Sequence, residues 1–84
     1  MGTFGDNVQT AMTVQIKAEM AALDWKQPDL AAAAGIPTST LHRYLSGIRD
    51  MPLPALAEIS SALGLSMTEL MARAQRRQDG RSSL

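Results

Sequence analysis

No cysteine occurs in the chain. That absence removes disulfides and thiolate metal sites, and it fits a reducing compartment. Phe, Trp and Tyr occur once each, so a core built from the 45% hydrophobic residues must be aliphatic, made of Leu, Ile, Met and Ala. Such material favours helices over strands. No apolar run approaches the roughly 18 residues of a membrane span. The opening MGTFGD has no basic stretch followed by an apolar one, and Asp6 stands where a myristoylation signal needs Ser or Thr. The chain is expected in the cytoplasm, with no membrane as partner. An excess of either charge is also lacking, since eight basic and eight acidic residues cancel. Neutrality excludes a polycationic coat and leaves room for a small, locally basic docking face.

Eighty-four residues suffice for one domain with a single modest core. Phe4, Val8, Met12, Ile16, Met20 and Leu23 recur at spacings of four and three, which draws one apolar stripe along a helix from about Asp6 to Leu23. Residues 1–24 are thus read as an N-terminal helix packing on the core of a single domain that spans 4–75. Pro28 opens a second helix, at a place where amides have no intrahelical partner to lose. Leu30, Ala31 and Ala34 give that helix its apolar side, Gly35 ends it, and its run of alanines lets a neighbour approach the backbone closely. Pro37 restarts the chain. Leu41, Tyr44, Leu45 and Ile48 supply the next stripe, closed by Gly47.

Pro52 and Pro54 bracket the start of a fourth helix, defined by Leu56, Ile59 and Leu63 and stopped by Gly64. Ser66 and Glu69 form the S-x-x-E capping box of a fifth, whose apolar side is Leu70, Met71 and Ala74. Residues 76–84 lack periodicity and read as a flexible tail or linker. No alternation of apolar and polar residues reaches strand length. The expected fold is all-α, a compact five-helix bundle.

The stretch LAAAAGIPTSTLHRYLSGIR, Leu30 to Arg49, holds no acidic residue, although acids equal bases in the chain as a whole. At 3.6 residues per turn the third helix puts Leu41, Tyr44 and Leu45 on one side and Thr38, Ser39, His42, Arg43 and Ser46 on the other. The second face carries hydrogen-bond donors, a fixed positive charge and no carboxylate. It suits a duplex: Arg bonds guanine O6 and N7 together, His, Ser and Thr offer single bonds, and short side chains let the helix N-terminus sit near the groove. Acidic groups at these positions would face a polyanion. Ala31 and Gly35 meet the remaining demand of a helix-turn-helix, a small side chain where the helices cross and a turn residue tolerant of positive φ.

The segment from Trp25 to Leu70, WKQPDLAAAAGIPTSTLHRYLSGIRDMPLPALAEISSALGLSMTEL, resembles the Cro/CI-type helix-turn-helix family of phage and bacterial repressors. The shared positions are Gln27, Leu30-Ala31, Gly35-Ile36, Leu41, Gly47, Pro52, Ile59, Ala62-Leu63-Gly64 and Leu70. They cover over half the chain, and their specificity lies in the joint register. The resemblance implies a helix-turn-helix formed by helices 2 and 3 within residues 25–72, the third helix entering the major groove of double-stranded DNA. It places Thr38, Ser39 and Arg43 at positions that contact bases, with His42 beside them. Gln27 and Arg49 fall at positions that hold phosphate, and Thr40 and Ser46 are read as further phosphate contacts. Phosphate contacts position a domain, whereas base contacts choose sequence. A homodimer contact is expected near the fifth helix, at Met71 and Ala74.

Two departures from the family pattern carry physical consequences. Many members place an Arg in helix 1 and a Glu late in helix 3 as a buried ion pair, where this chain has Met20 and Leu45. An apolar pair avoids desolvating two charges. Pro37 stands where Ser or Thr often caps the third helix, which leaves Thr38 as the expected substitute.

The expected function is a sequence-specific transcription regulator of the phage or prophage repressor type. His42 is the only histidine and the carboxylates are scattered, so no metal site, catalytic dyad or triad is assembled and no cofactor or small-molecule ligand is inferred. The chain is read as a non-enzyme. Six methionines read as core filling. Arg73, Arg76, Arg77 and Arg81 form a cluster that phosphate, acids on a partner, or solvent alone would satisfy. A second functional reading stays open: an antitoxin-like or adaptor module that holds a protein, favoured by the zero net charge.

Overall fold

Five side chains sealed from solvent organise the molecule, one from each helix: Ile16, Leu30, Leu41, Ile59 and Leu70. They were located in a computed structural model, which describes residues 4–82 of the backbone and the side chains of residues 8–79. The helices are α1 (Phe4–Ala22), α2 (Gln27–Ala34), α3 (Thr38–Leu45), α4 (Leu53–Ala62) and α5 (Met67–Ser82). There is no strand among the described residues, and the all-α five-helix expectation holds. Burying each of the five side chains contributes about 1.5–3 kcal/mol of transfer free energy before chain entropy is charged against it.

α1 packs along α5 and touches α3, while α2 lies against α3 and α4, and α4 closes onto α5. The Cα radius of gyration, 12.3 Å, is that of one compact body at this chain length. Met12, Ile16 and Met20 of the expected stripe are buried and Val8 packs at its edge. Phe4 contributes to the backbone of α1, but its side chain lies outside the described residues. Leu23 is instead 46% exposed, because α1 stops at Ala22 and the chain turns there. Met20 and Leu45, the apolar replacements for the family's ion pair, both belong to the core.

Three helices end by one device. Trp25 N–H donates to Met20 O, Ile36 N–H to Ala31 O and Leu65 N–H to Ser60 O, each spanning five residues. The residue before each donor has positive φ: Asp24 at 57°, Gly35 at 72° and Gly64 at 78°. These are Schellman ends, and their accompanying apolar residue packs back on the helix. Trp25, Ile36 and Leu65 do so against the core.

α3 ends differently. Gly47 has φ 81°, yet the amide that reaches back to Arg43 O is that of Arg49, over 3.2 Å, one residue later than the motif requires. Ile48, expected in the apolar stripe, is therefore thrown outward and is 73% exposed. At the other end Pro37 precedes α3 with extended backbone and no side chain caps the helix. Thr38 does not take over that role, because it is already the first helical residue.

The capping box of α5 is complete: Ser66 N–H donates to Glu69 Oε1 at 2.9 Å and Glu69 N–H to Ser66 Oγ at 3.0 Å. The bond from the Ser66 amide to Oε1 is the main reason that the Glu69 carboxyl lies below its usual value. From there α5 continues without a break through 76–82, where composition alone read a tail. A network with α1 holds α5 as far as Arg77. Arg77 Nε donates to Gln15 Oε1 at 2.8 Å, Gln15 Nε2 to Glu19 Oε2 at 2.8 Å, and Arg73 Nη1 to both Glu19 oxygens at 3.0 and 2.9 Å. Arg73 and Arg77 are thus bonded to this chain's own α1, although both residues remain exposed. Arg76 is exposed, and the side chain of Arg81 lies outside the described residues. Among the described residues no helix is long and apolar enough to cross a membrane.

Candidate nucleic-acid interface

The second helix of the α2–turn–α3 unit divides cleanly by burial. Leu41, Tyr44 and Leu45 are buried, and Thr38, Ser39, His42, Arg43 and Ser46 are exposed. Thr40 lies between, half-buried at the margin. The division follows from the helical period: Leu41 and Leu45, one turn apart, must both enter the core, which commits residues 38, 39, 42, 43 and 46 to solvent. The turn keeps α2 and α3 close because Gly35 takes a left-handed φ that a larger residue would adopt only under strain. Ala31, 1% exposed, and Ala34, 5% exposed, leave room for the crossing.

Four further observations shape this face. First, it is joined to the start of α2, for His42 Nδ1 lies 3.3 Å from Gln27 Oε1. A carboxamide oxygen only accepts, so in this arrangement the imidazole nitrogen donates. Second, Asp29 marks the acidic limit of the face, and its Oδ2 accepts the Lys26 amide at 2.8 Å to tie off the first turn of α2. Third, Ser46 Oγ donates back to Arg43 O at 3.3 Å, so its hydroxyl proton is turned to its own helix. Ser46 is accordingly a poorer phosphate donor than its position in the sequence promised.

Fourth, the Arg49 guanidinium lies 6.0 Å from the centroid of the Tyr44 ring. At that range a ring face attracts the cation and restricts its wandering. Tyr44 also lines a shallow hollow with Gln9, Thr10, Thr13, Gly47 and Asp50. Gln9 Oε1 there accepts the Met51 amide at 3.1 Å, so α1 holds the far end of the loop that carries Arg49. Sequence reasoning missed both supports. Tyr44 was visible only as a core residue, and no local pattern links Gln9 to an amide 42 positions away.

The expected self-association site on α5 is divided by the same criterion. Met71 is 48% exposed, but Ala74 is 3% exposed and belongs to the core of its own domain. Only Met71 remains on the surface for a second copy to touch.

A family model for the Cro/C1-type HTH DNA-binding domain matches residues 15–75. The chain belongs to that family. No curated protein and no solved structure matches it. The match takes in the whole of α2, α3 and α4, so the face built from Gln27, Thr38, Ser39, His42 and Arg43 lies inside the Cro/C1-type domain. DNA binding of a regulatory kind is the property that goes with it. The first part of α1, with Gln9, and the end of α5, with Arg77, lie outside the matched region.

Proposed function

We propose that this Cro/C1-type domain is a sequence-specific transcription regulator of the phage or prophage repressor kind, which inserts α3 into the major groove of an operator. The observation that carries the reading is the exposed, carboxylate-free face of α3, standing clear of the core on the second helix of a helix-turn-helix. Arg43, Thr38, Ser39 and His42 meet base edges. Gln27, Arg49 and, at the margin, Thr40 meet phosphate. The setting is the cytoplasm, where the DNA is.

Neutral overall charge has a consequence for affinity. Few phosphates are neutralised per domain, so the affinity falls only gently with salt, and useful occupancy calls for two domains on a palindrome or for good base readout. Fluorescence anisotropy against random duplex DNA, followed by selection from a randomised pool, tests the reading. One enriched motif is expected. A pool that stays random after repeated rounds would sink it and leave the helical surface to a protein partner. Sedimentation of the domain with and without the selected duplex then shows whether two copies assemble on DNA, with Met71 as the exposed residue to alter.

A further inference from the structure

Gln27 and His42 come from different helices, and each was assigned separately, one to phosphate and one to a base. Their side chains meet at 3.3 Å. That contact links the two tasks by simple proton bookkeeping. A Gln that bonds a phosphate must present its NH2 group, because its oxygen would be repelled. The carboxamide oxygen then faces the other way, toward His42, and the neutral imidazole can satisfy it only by carrying its single proton on Nδ1. Its other nitrogen, Nε2, is left with a lone pair. His42 is exposed, so that lone pair is available outside the chain.

We propose that Gln27 fixes His42 in the Nδ1–H tautomer, so that Nε2 acts as a hydrogen-bond acceptor and selects an exocyclic amino group, adenine N6 or cytosine N4, in the major groove. Only these two groups donate from base edges there. A histidine acting as donor would instead seek guanine O6 or N7, thymine O4 or adenine N7. Gln27 is thus a positioning residue for specificity as well as a phosphate contact. Register on the backbone and choice of base are coupled through one bond. The inference rests on the DNA-binding reading above.

The chain has one histidine, so a long-range 1H–15N spectrum of the free protein shows a single imidazole. At pH 8, above the ordinary histidine range, the Nδ1–H pattern is expected for the wild type and the Nε2–H pattern for Gln27→Met. An Nε2–H wild type overturns the proposal. On the selected duplex, removing one amino group, by purine for adenine or 2-pyrimidinone for cytosine, should cost the wild type about fivefold at one base pair. The same change should be felt less than about twofold by Gln27→Met and by His42→Ala, which also controls for weakened pairing. If Gln27→Met weakens all sequences alike and keeps the wild-type preference, the coupling is refuted while the DNA reading survives. If no duplex is selected at all, both fall.

Discussion

Two polar surfaces of this domain use similar side chains in opposite ways. Along the α1–α5 seam, Gln15, Glu19, Arg73 and Arg77 bond to one another, and Gln15 is 6% exposed. On α3, Thr38, Ser39, His42 and Arg43 stand exposed, and among the described residues His42 is the one of them that bonds to a side chain of another helix. A chain with no net charge carries this basic face because all eight of its acidic residues lie outside Leu30–Arg49. Two of its arginines, Arg73 and Arg77, are committed to α1, whereas Arg43 and Arg49 lie where no carboxylate intervenes between Leu30 and Arg49. Polar groups bound to each other contribute to stability, and polar groups left to solvent are available for recognition.

The sharpest way to break this division is Arg43→Ala. It should cost about 1–3 kcal/mol of binding to the selected duplex and relax preference at one base pair, with thermal stability unchanged within about 0.5 kcal/mol. Loss of stability without loss of binding would put Arg43 in the same class as the seam. The helix exits offer a second comparison. Ile36→Ser removes the packed residue of a Schellman end and should cost about 1–2 kcal/mol in denaturant unfolding, while Ile48→Ser, at the exit of α3, should stay within about 0.5 kcal/mol. Equal costs would mean that Ile48 is not thrown outward.

Glu19→Ala should destabilise by about 1 kcal/mol, a modest figure because Arg73 is 43% exposed, and should leave base preference untouched. Its pH dependence has a definite sign. Burial alone pushes the Glu19 carboxyl up, but hydrogen bonds from Arg73 and Gln15 and the charges of Arg73 and Arg77 outweigh it and hold the group below its usual value. A carboxyl depressed in the folded state stabilises above its unfolded pKa and ceases to do so as pH falls through the folded value. The stability gap between wild type and Glu19→Ala should therefore be full at neutral pH and close below the ordinary carboxylate range, about 4.3. A gap that persists in acid would show that the seam is held by packing rather than by charge. The smallest effect is expected from Arg76→Ala, an exposed substitution, within about 0.5 kcal/mol of wild-type stability.

Much of this fold was legible one helix at a time. The period of Met12, Ile16 and Met20, the glycines at 35 and 64, and the Ser66–Glu69 box are local signals, and each corresponds to a helix body or end. The split of α3 into a buried and an exposed side was legible for the same reason. Misreadings occurred where one residue's place depends on a distant element. Ile48 fits the stripe by spacing, but the bond from Arg49 N–H to Arg43 O adds a residue to the exit and turns it out. Ala74 looked like a candidate for a partner, and α1 against α5 had already covered it. Residues 76–82 have no apolar period, yet the last turns of α5 follow a segment clamped by Arg77 and Gln15, a pairing between positions 62 apart.

The amino-acid sequence by itself determined where helices start and stop and which side of α3 is polar, because capping, backbone freedom at Gly35 and the 3.6-residue period act over a few residues. Only the tertiary structure decided which arginines bond to side chains of another helix, that Gln27 touches His42, and that α1 braces the loop of Arg49. Those outcomes depend on how separate helices cross, and a crossing is set by the shared core formed by Ile16, Leu30, Leu41, Ile59 and Leu70, to which every helix contributes and which none can specify alone.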